Sequence, residues 1–218
     1  MSMDRVDQRL HYFDSRESVD RHHHVLPHWE QGGGTYFVTF RLDDSLPQAR
    51  LAQWKCERET WITTHPRPWT TEQEQDYHKR FSSKVEQWLD QGHGSCLLRT
   101  PELGKIVSEA LRFFDGQRWI AHSAVVMPNH AHVLFTPING HALADILHSW
   151  KSFTALQINQ RLARQGEIWQ RTYFDRLIRD GNHFRNCVRY IRKNPEKARL
   201  KDGEFVYFES DWVRSLEI

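Results

Sequence analysis

Cysteine is scarce in this chain. Cys56, Cys96 and Cys187 form an odd, widely spaced set without a CxxC pair. That excludes a disulfide framework and a zinc knuckle, and it fits a reducing compartment. Long apolar runs are missing as well, so no membrane-spanning helix is expected. Met1 to Asp20 is polar and charged and carries no secretory h-region. These absences point to a soluble, cytoplasmic protein with no membrane partner. Neither an internal repeat nor a low-complexity tract is present. An excess of one charge is missing too: the formal net charge is only +2.

That small total conceals an uneven distribution. Residues 151–201 hold thirteen Lys or Arg against four acids, a local +9 that leaves −7 for the rest of the chain. A basic stretch of this kind suits a polyphosphate backbone, although a solvated basic helix surface has the same composition. The 218 residues are expected to form one domain over 1–218. Its core covers about 26–200, with a helical insertion at about 43–95 and a tail at 201–218. Nine Trp and 12 Phe are many for this length and are assigned first to core and helix packing.

Periodicity supplies the elements. Thr35–Leu42 is a strand entered through Gly32, Gly33 and Gly34. Helices are expected from about Pro47 to Ile62 and from about Thr71 to Asp90, separated by Pro66 and Pro68. A helix over Pro101–Phe114 precedes a hairpin made of Trp119–Met127, a Pro128-Asn129 turn and His130–Thr136. A long helix over about Ala142–Arg164 and a short strand at Phe174–Ile178 follow. The next helix, about Asn182 to Lys193, is expected to stop against Pro195, and Phe205–Phe208 is a last apolar stretch. With the two early helices set aside as an insertion, the order is βαββαβ plus a further helix. This is an α+β, ferredoxin-like (RRM-like) arrangement: an antiparallel sheet with helices on one face. The other face is expected to stay free for a substrate.

Two segments carry chemistry. In Met127-Pro128-Asn129-His130-Ala131-His132-Val133-Leu134-Phe135, strand alternation turns His130 and His132 to one face, about 7 Å apart along the strand. Ala131, Val133 and Phe135 turn to the core. Two such imidazoles can converge on a cation, but an HxH on a strand also arises by chance in a chain with 14 histidines. The second segment is Cys187-Val188-Arg189-Tyr190-Ile191-Arg192-Lys193-Asn194-Pro195. Phe184, Cys187, Val188 and Ile191 form its apolar stripe, and Tyr190 and Asn194, four apart, share a side. A lone helical Tyr is usually a packing residue. The amide one turn on and the neighbouring Arg189 and Arg192 set this one apart. The tract His22-His23-His24 is read as incidental.

The chain resembles the REP-associated tyrosine transposases, a branch of the HUH single-tyrosine (Y1) transposases. The matching stretches are LPHWEQGGGTYFVTFRL at 26–42, VVMPNHAHVLF at 125–135, SWKSFTALQIN at 149–159, IWQRTYFDRLIRD at 168–180 and RYIRKNPEKARL at 189–200. The resemblance implies that His130 and His132 are metal ligands, Tyr190 the nucleophile and Asn194 a third, amide ligand. It further implies that Lys151, Arg176 and Arg189 contact DNA, and that a divalent ion, Mg or Mn, is the cofactor. The implied reaction is cleavage and transfer of single-stranded DNA through a 5′-phosphotyrosine, on REP-like palindromic hairpins, by a monomer or homodimer. A second reading is a domesticated protein that binds repeat hairpins with little or no cutting. An RNA-recognition module fits poorly, because the motif strand offers histidines where exposed aromatics are needed. A histidine-triad hydrolase fits poorly too, because Leu134 stands where a third His is needed.

Overall fold

Strand alternation and helical stripes resolve into sixteen short elements in a computed structural model, which describes residues 10–14, 16, 20–23, 27–66, 68–216 and 218. Residues 1–9, most of the start read as lacking a leader, lie outside the described residues, as do His24 and Leu26. In chain order the first elements are β1 (Asp20–His23), β2 (Pro27–Glu30), β3 (Tyr36–Arg41), α1 (Gln48–Thr64) and α2 (Thr71–Tyr77). A π turn (His78–Ser82), α3 (Ser83–Asp90) and a 3₁₀ turn (Leu97–Arg99) come next. The rest are α4 (Pro101–Arg112), β4 (Trp119–Val126), β5 (His130–Pro137), α5 (Leu143–Arg161), β6 (Phe174–Leu177), α6 (Gly181–Lys197), β7 (Val206–Glu209) and α7 (Asp211–Arg214). Among the described residues no helix is long and apolar enough to cross a membrane.

β1 and β2 form a separate antiparallel ribbon. The main sheet is antiparallel, in the order β6-β3-β5-β4-β7. β3, α4, β4, β5, α5 and β6 supply the expected βαββαβ sequence, and β7 extends the sheet along β4. Odd residues of β5 (Ala131, Val133, Phe135) and even residues of β3 (Tyr36, Val38, Phe40) meet one core. β4 joins this core out of phase. Trp119 and Ala121 point into it before a bulge at His122, and Ala124 and Val126 after it. One extra residue reverses the period-2 phase, so no single alternation describes this strand. α4 and α5 cover this face with Leu103, Val107, Leu111, Leu147 and Trp150.

The opposite face was expected from the sequence to stay open, and it does not. α6 packs Phe184, Cys187, Val188 and Ile191 against Phe37, Val125, Met127 and Leu134, and Val213 of α7 joins them. The apolar stripe that marks α6 as amphipathic needs a surface to bury against, and this sheet face supplies it. α6 begins under an Asp180 cap, whose carboxylate accepts from the His183 amide at 2.8 Å. It then runs through Pro195 to Lys197, one turn beyond the expected end. Pro195 cannot donate to the preceding turn, yet it is buried. The Asn194 carbonyl still accepts from the Ala198 amide and that of Pro195 from the Leu200 amide.

The helices between β3 and α4 pack largely on themselves. Trp61, Tyr77 and Phe81 form one small cluster, and Leu46, Leu51 and Leu89 another. The two ends of this insertion are tied together: the Ser95 amide donates to Asp44 Oδ2 at 2.7 Å. Gly94, at φ +86°, lies so close to Asp44 that a Cβ there would strike its carbonyl.

Candidate active site

His130 and His132 lie side by side on β5, each only 1% exposed. Their Nε2 atoms face each other at 3.0 Å. Each ring is held from behind through Nδ1: His130 pairs with Asn129 Oδ1 at 2.7 Å, and His132 with Thr39 Oγ1 at 2.7 Å. Thr39 reaches His132 because the β3–β5 register sets the two directly opposite. The Asn129 amide is oriented by its own donors, since Nδ2 bonds to the Leu89 and His93 carbonyls at 3.2 and 3.1 Å. Oδ1 therefore accepts, His130 carries its proton on Nδ1, and its Nε2 presents a lone pair.

Burial depresses both imidazoles, and the Lys197 cation adds to this. His130 is held down to about 3, and His132 well below the ordinary histidine range, with the His130 charge contributing there. Both are neutral at pH 7, the state a metal ligand requires. Two bare nitrogens 3.0 Å apart repel, so either a proton on one or a cation between them must occupy the gap.

α6 brings Tyr190 to the same place. Its ring packs edge-on against His132 at 5.1 Å between centroids and against Phe37 at 5.7 Å. Phe37 in turn stacks on His132 at 5.4 Å. Tyr190 Oη is buried, and burial raises the phenol above its ordinary pKa. Glu86 and Asp90 on α3 raise it further, while the nearby Asn194 amide and Arg176 pull it back. Asn194, one turn along α6, is 1% exposed, and neither its amide oxygen nor its nitrogen makes a well-formed hydrogen bond. Among the described residues no cluster of three His, Cys, Asp or Glu side chains forms. A buried, unsatisfied amide oxygen one helical turn from the phenol that packs on His132, taken with two neutral imidazoles, is a donor set whose chemistry fits a divalent ion.

The remaining candidates divide. Arg176 pairs across the sheet with Phe37, on the histidine face, and its charge acts on Tyr190. Arg189 is exposed on α6 and donates to Asn186 Oδ1 at 3.1 Å. Lys151 is not brought to the histidines. It sits on α5, across the sheet, where its Nζ donates to the Arg171 carbonyl at 2.7 Å and burial lowers its pKa to about 8. Sequence reasoning missed Thr39, Asn129, Glu86, Asp90 and Lys197. Only Asn129 had a local signal, standing directly before His130. Thr39, Glu86 and Asp90 meet the site through long-range contacts, and Lys197 lies beyond the expected end of its helix.

Residues 100–194 match the model of the family described as transposase IS200 like. The matched span runs from the residue before α4 to Asn194 and contains both histidines and Tyr190. No curated protein matches the chain. Among solved structures, the chain is similar to a REP-associated tyrosine transposase bound to a REP hairpin, at 18% identity, covering 77% of this chain and 69% of that one, with a TM-score of 0.43. It is also similar to a crystal structure from Deinococcus radiodurans with a provisional transposase assignment, at 12% identity, covering 73% and 89%, with a TM-score of 0.34.

Proposed function

From the match of residues 100–194 to the IS200-like (Y1) transposase family model, we propose that this chain cuts and rejoins single-stranded DNA at REP-like hairpins with Tyr190 as the nucleophile. The observation that carries this reading is the meeting of three groups from two distant segments. The Tyr190 ring lies 5.1 Å from that of His132, whose Nε2 is 3.0 Å from that of His130.

The step is a transesterification. The phenol oxygen of Tyr190 loses its proton and attacks phosphorus, the bond to the 3′ oxygen breaks, and the electron pair leaves with that oxygen, which takes up the proton the phenol gave up. A 5′-phosphotyrosine and a free 3′-OH result. Because one phosphodiester replaces another, the reverse attack by a 3′-OH rejoins strands without ATP.

His130, His132 and Asn194 would hold a divalent ion, Mg or Mn. When bound, it supplies Lewis-acid stabilisation of charge on the phosphate. Asn129 and Thr39 fix the imidazole orientations. Phe37 sets the spacing between the His132 and Tyr190 rings. Arg176 and Arg189 are DNA contacts along one side of the site, and Lys151 a contact on the other side of the sheet. Unpaired DNA follows the basic segment 151–201, and the protein works in the cytoplasm.

A labelled DNA hairpin with a single-stranded flank, incubated with Mn or Mg, tests the reading. A covalent protein–DNA adduct is expected with wild type and none with Tyr190→Phe. His130→Ala and His132→Ala should lose the adduct while keeping most of the hairpin affinity. One feature favours a binding protein that seldom cuts: the Tyr190 phenol is buried and raised by the Glu86 and Asp90 carboxylates. Equal hairpin binding by wild type and Tyr190→Phe, with no adduct from either under any metal, would select that reading.

A further inference from the structure

Lys197 is not among the groups assigned above to the metal or to the attack, yet it stands beside Tyr190. It lies seven residues beyond Tyr190 and three beyond Asn194, so the three share one face of α6. Its Nζ is 5.7 Å from the centre of the Tyr190 ring. The same Nζ is paired at 2.8 Å with Asp90 Oδ2, while Asp90 Oδ1 is buried without a hydrogen-bond partner.

Asp90 comes from outside the βαββαβ unit. It is the last residue of α3, at the end of the insertion, whose neighbouring Leu89 and His93 carbonyls are bound by Asn129. Glu86 lies one turn earlier on the same helix, and its carboxyl feels Arg176, Lys197 and Asp90. A centre that must accept a phosphodiester thus faces two carboxylates, with a lysine held between Asp90 and the nucleophile.

We infer that Lys197 binds the scissile phosphate, and that Asp90 is a positioning residue keeping its ammonium beside Tyr190 until DNA arrives. This inference rests on the strand-cutting reading above. A phosphate oxygen entering next to Tyr190 takes the Lys197 hydrogen bond from Asp90. The lysine side chain is 48% exposed, and a pair open to water on that side exchanges readily. As the phenol oxygen bonds to phosphorus and the 3′ oxygen departs, negative charge gathers on the non-bridging oxygens, where a fixed cation is most effective. Lys197 keeps its proton throughout. The insertion is then part of the active centre, because it decides where that cation waits.

The test uses the full chain carrying Tyr190→Phe, so that binding is read without cutting. The probe is a palindromic DNA hairpin with a single-stranded flank. Each flank phosphate is replaced in turn by a neutral methylphosphonate. With Lys197 present, one linkage should stand out, its replacement weakening binding about tenfold. In Lys197→Gln that linkage should lose its special sensitivity, and Lys197→Arg should restore it. Asp90→Asn should keep the same linkage but bind the unmodified hairpin a few-fold more tightly, since the competing carboxylate is gone. Identical methylphosphonate profiles with Lys and Gln at 197, or no hairpin binding by either protein, overturn the inference. With Tyr190 intact, Lys197→Gln should form the adduct about 100-fold more slowly, and an unchanged rate also overturns it. A wild type that makes no adduct sinks the strand-cutting reading alone, because the binding profile does not depend on cutting.

Discussion

Asn129 Oδ1 sits 2.7 Å from His130 Nδ1, and this contact fixes which face of the imidazole carries the lone pair. The same amide donates to the Leu89 and His93 carbonyls. One side chain therefore both orients a candidate metal ligand and clamps the end of the insertion to the hairpin turn. Asn129→Ala is expected to weaken Mn binding by about 10- to 100-fold, the usual effect of losing a partner behind a ligating histidine. Calorimetric titration with Mn checks it. Unchanged affinity would mean that His130 is oriented by something else.

Acid should destabilise the metal-free protein well before its carboxylates titrate. His130 is held near 3, His132 well below its ordinary value, and His183 near 4, in each case chiefly by burial. The unfolded chain takes up these protons below about pH 6.5, while the native state refuses them. The unfolded state then binds more protons, so stability falls as pH falls from about 6.5 towards 3. Each fully buried histidine contributes up to about 1.4 kcal/mol per pH unit within that window. Denaturant melts in a chelator at pH 7, 6 and 5 should show the loss, and His130→Asn should flatten it.

Hairpin affinity should fall steeply with salt. The segment 151–201 carries a local +9, and each phosphate contact releases counterions on binding. Arg176→Ala and Arg189→Ala should each reduce the slope of log K against log salt by about 0.7, the single-strand value for one contact. A slope unchanged in either variant removes that arginine from the interface.

Gly94→Ala should loosen the insertion. Gly94 combines φ +86° with a close approach to the Asp44 carbonyl, so an added Cβ meets both backbone strain and a clash. A loss of about 1–3 kcal/mol is expected, read as a lower melting temperature. Protease sensitivity within 48–90 should rise with it. Wild-type stability would show that this junction shifts freely.

Much of the sheet was legible locally. The histidine pair faces one way because β5 alternates, and Ala131, Val133 and Phe135 fill the core below it. The stripe of Phe184, Cys187, Val188 and Ile191 likewise marked α6 before any partner surface was visible. The end of α6 was not legible, because Pro195 is a strong local stop signal, overridden here where the ring is buried. That override puts Lys197 on the Tyr190 face.

Residue types and spacing alone determined the paired imidazoles on a strand, the phenol and amide one helical turn apart, and the basic character of residues 151–201. Each follows from the short-range geometry of strand and helix. Tertiary packing decided that α6 covers the histidine face, that Thr39 and Asn129 hold the two rings, and that Asp90 of the insertion holds Lys197 beside Tyr190. Those meetings include Thr39 with His132, 93 positions apart, and Asp90 with Lys197, 107 apart. Contacts at such separations depend on how whole faces bury against one another, and a local sequence period does not encode that.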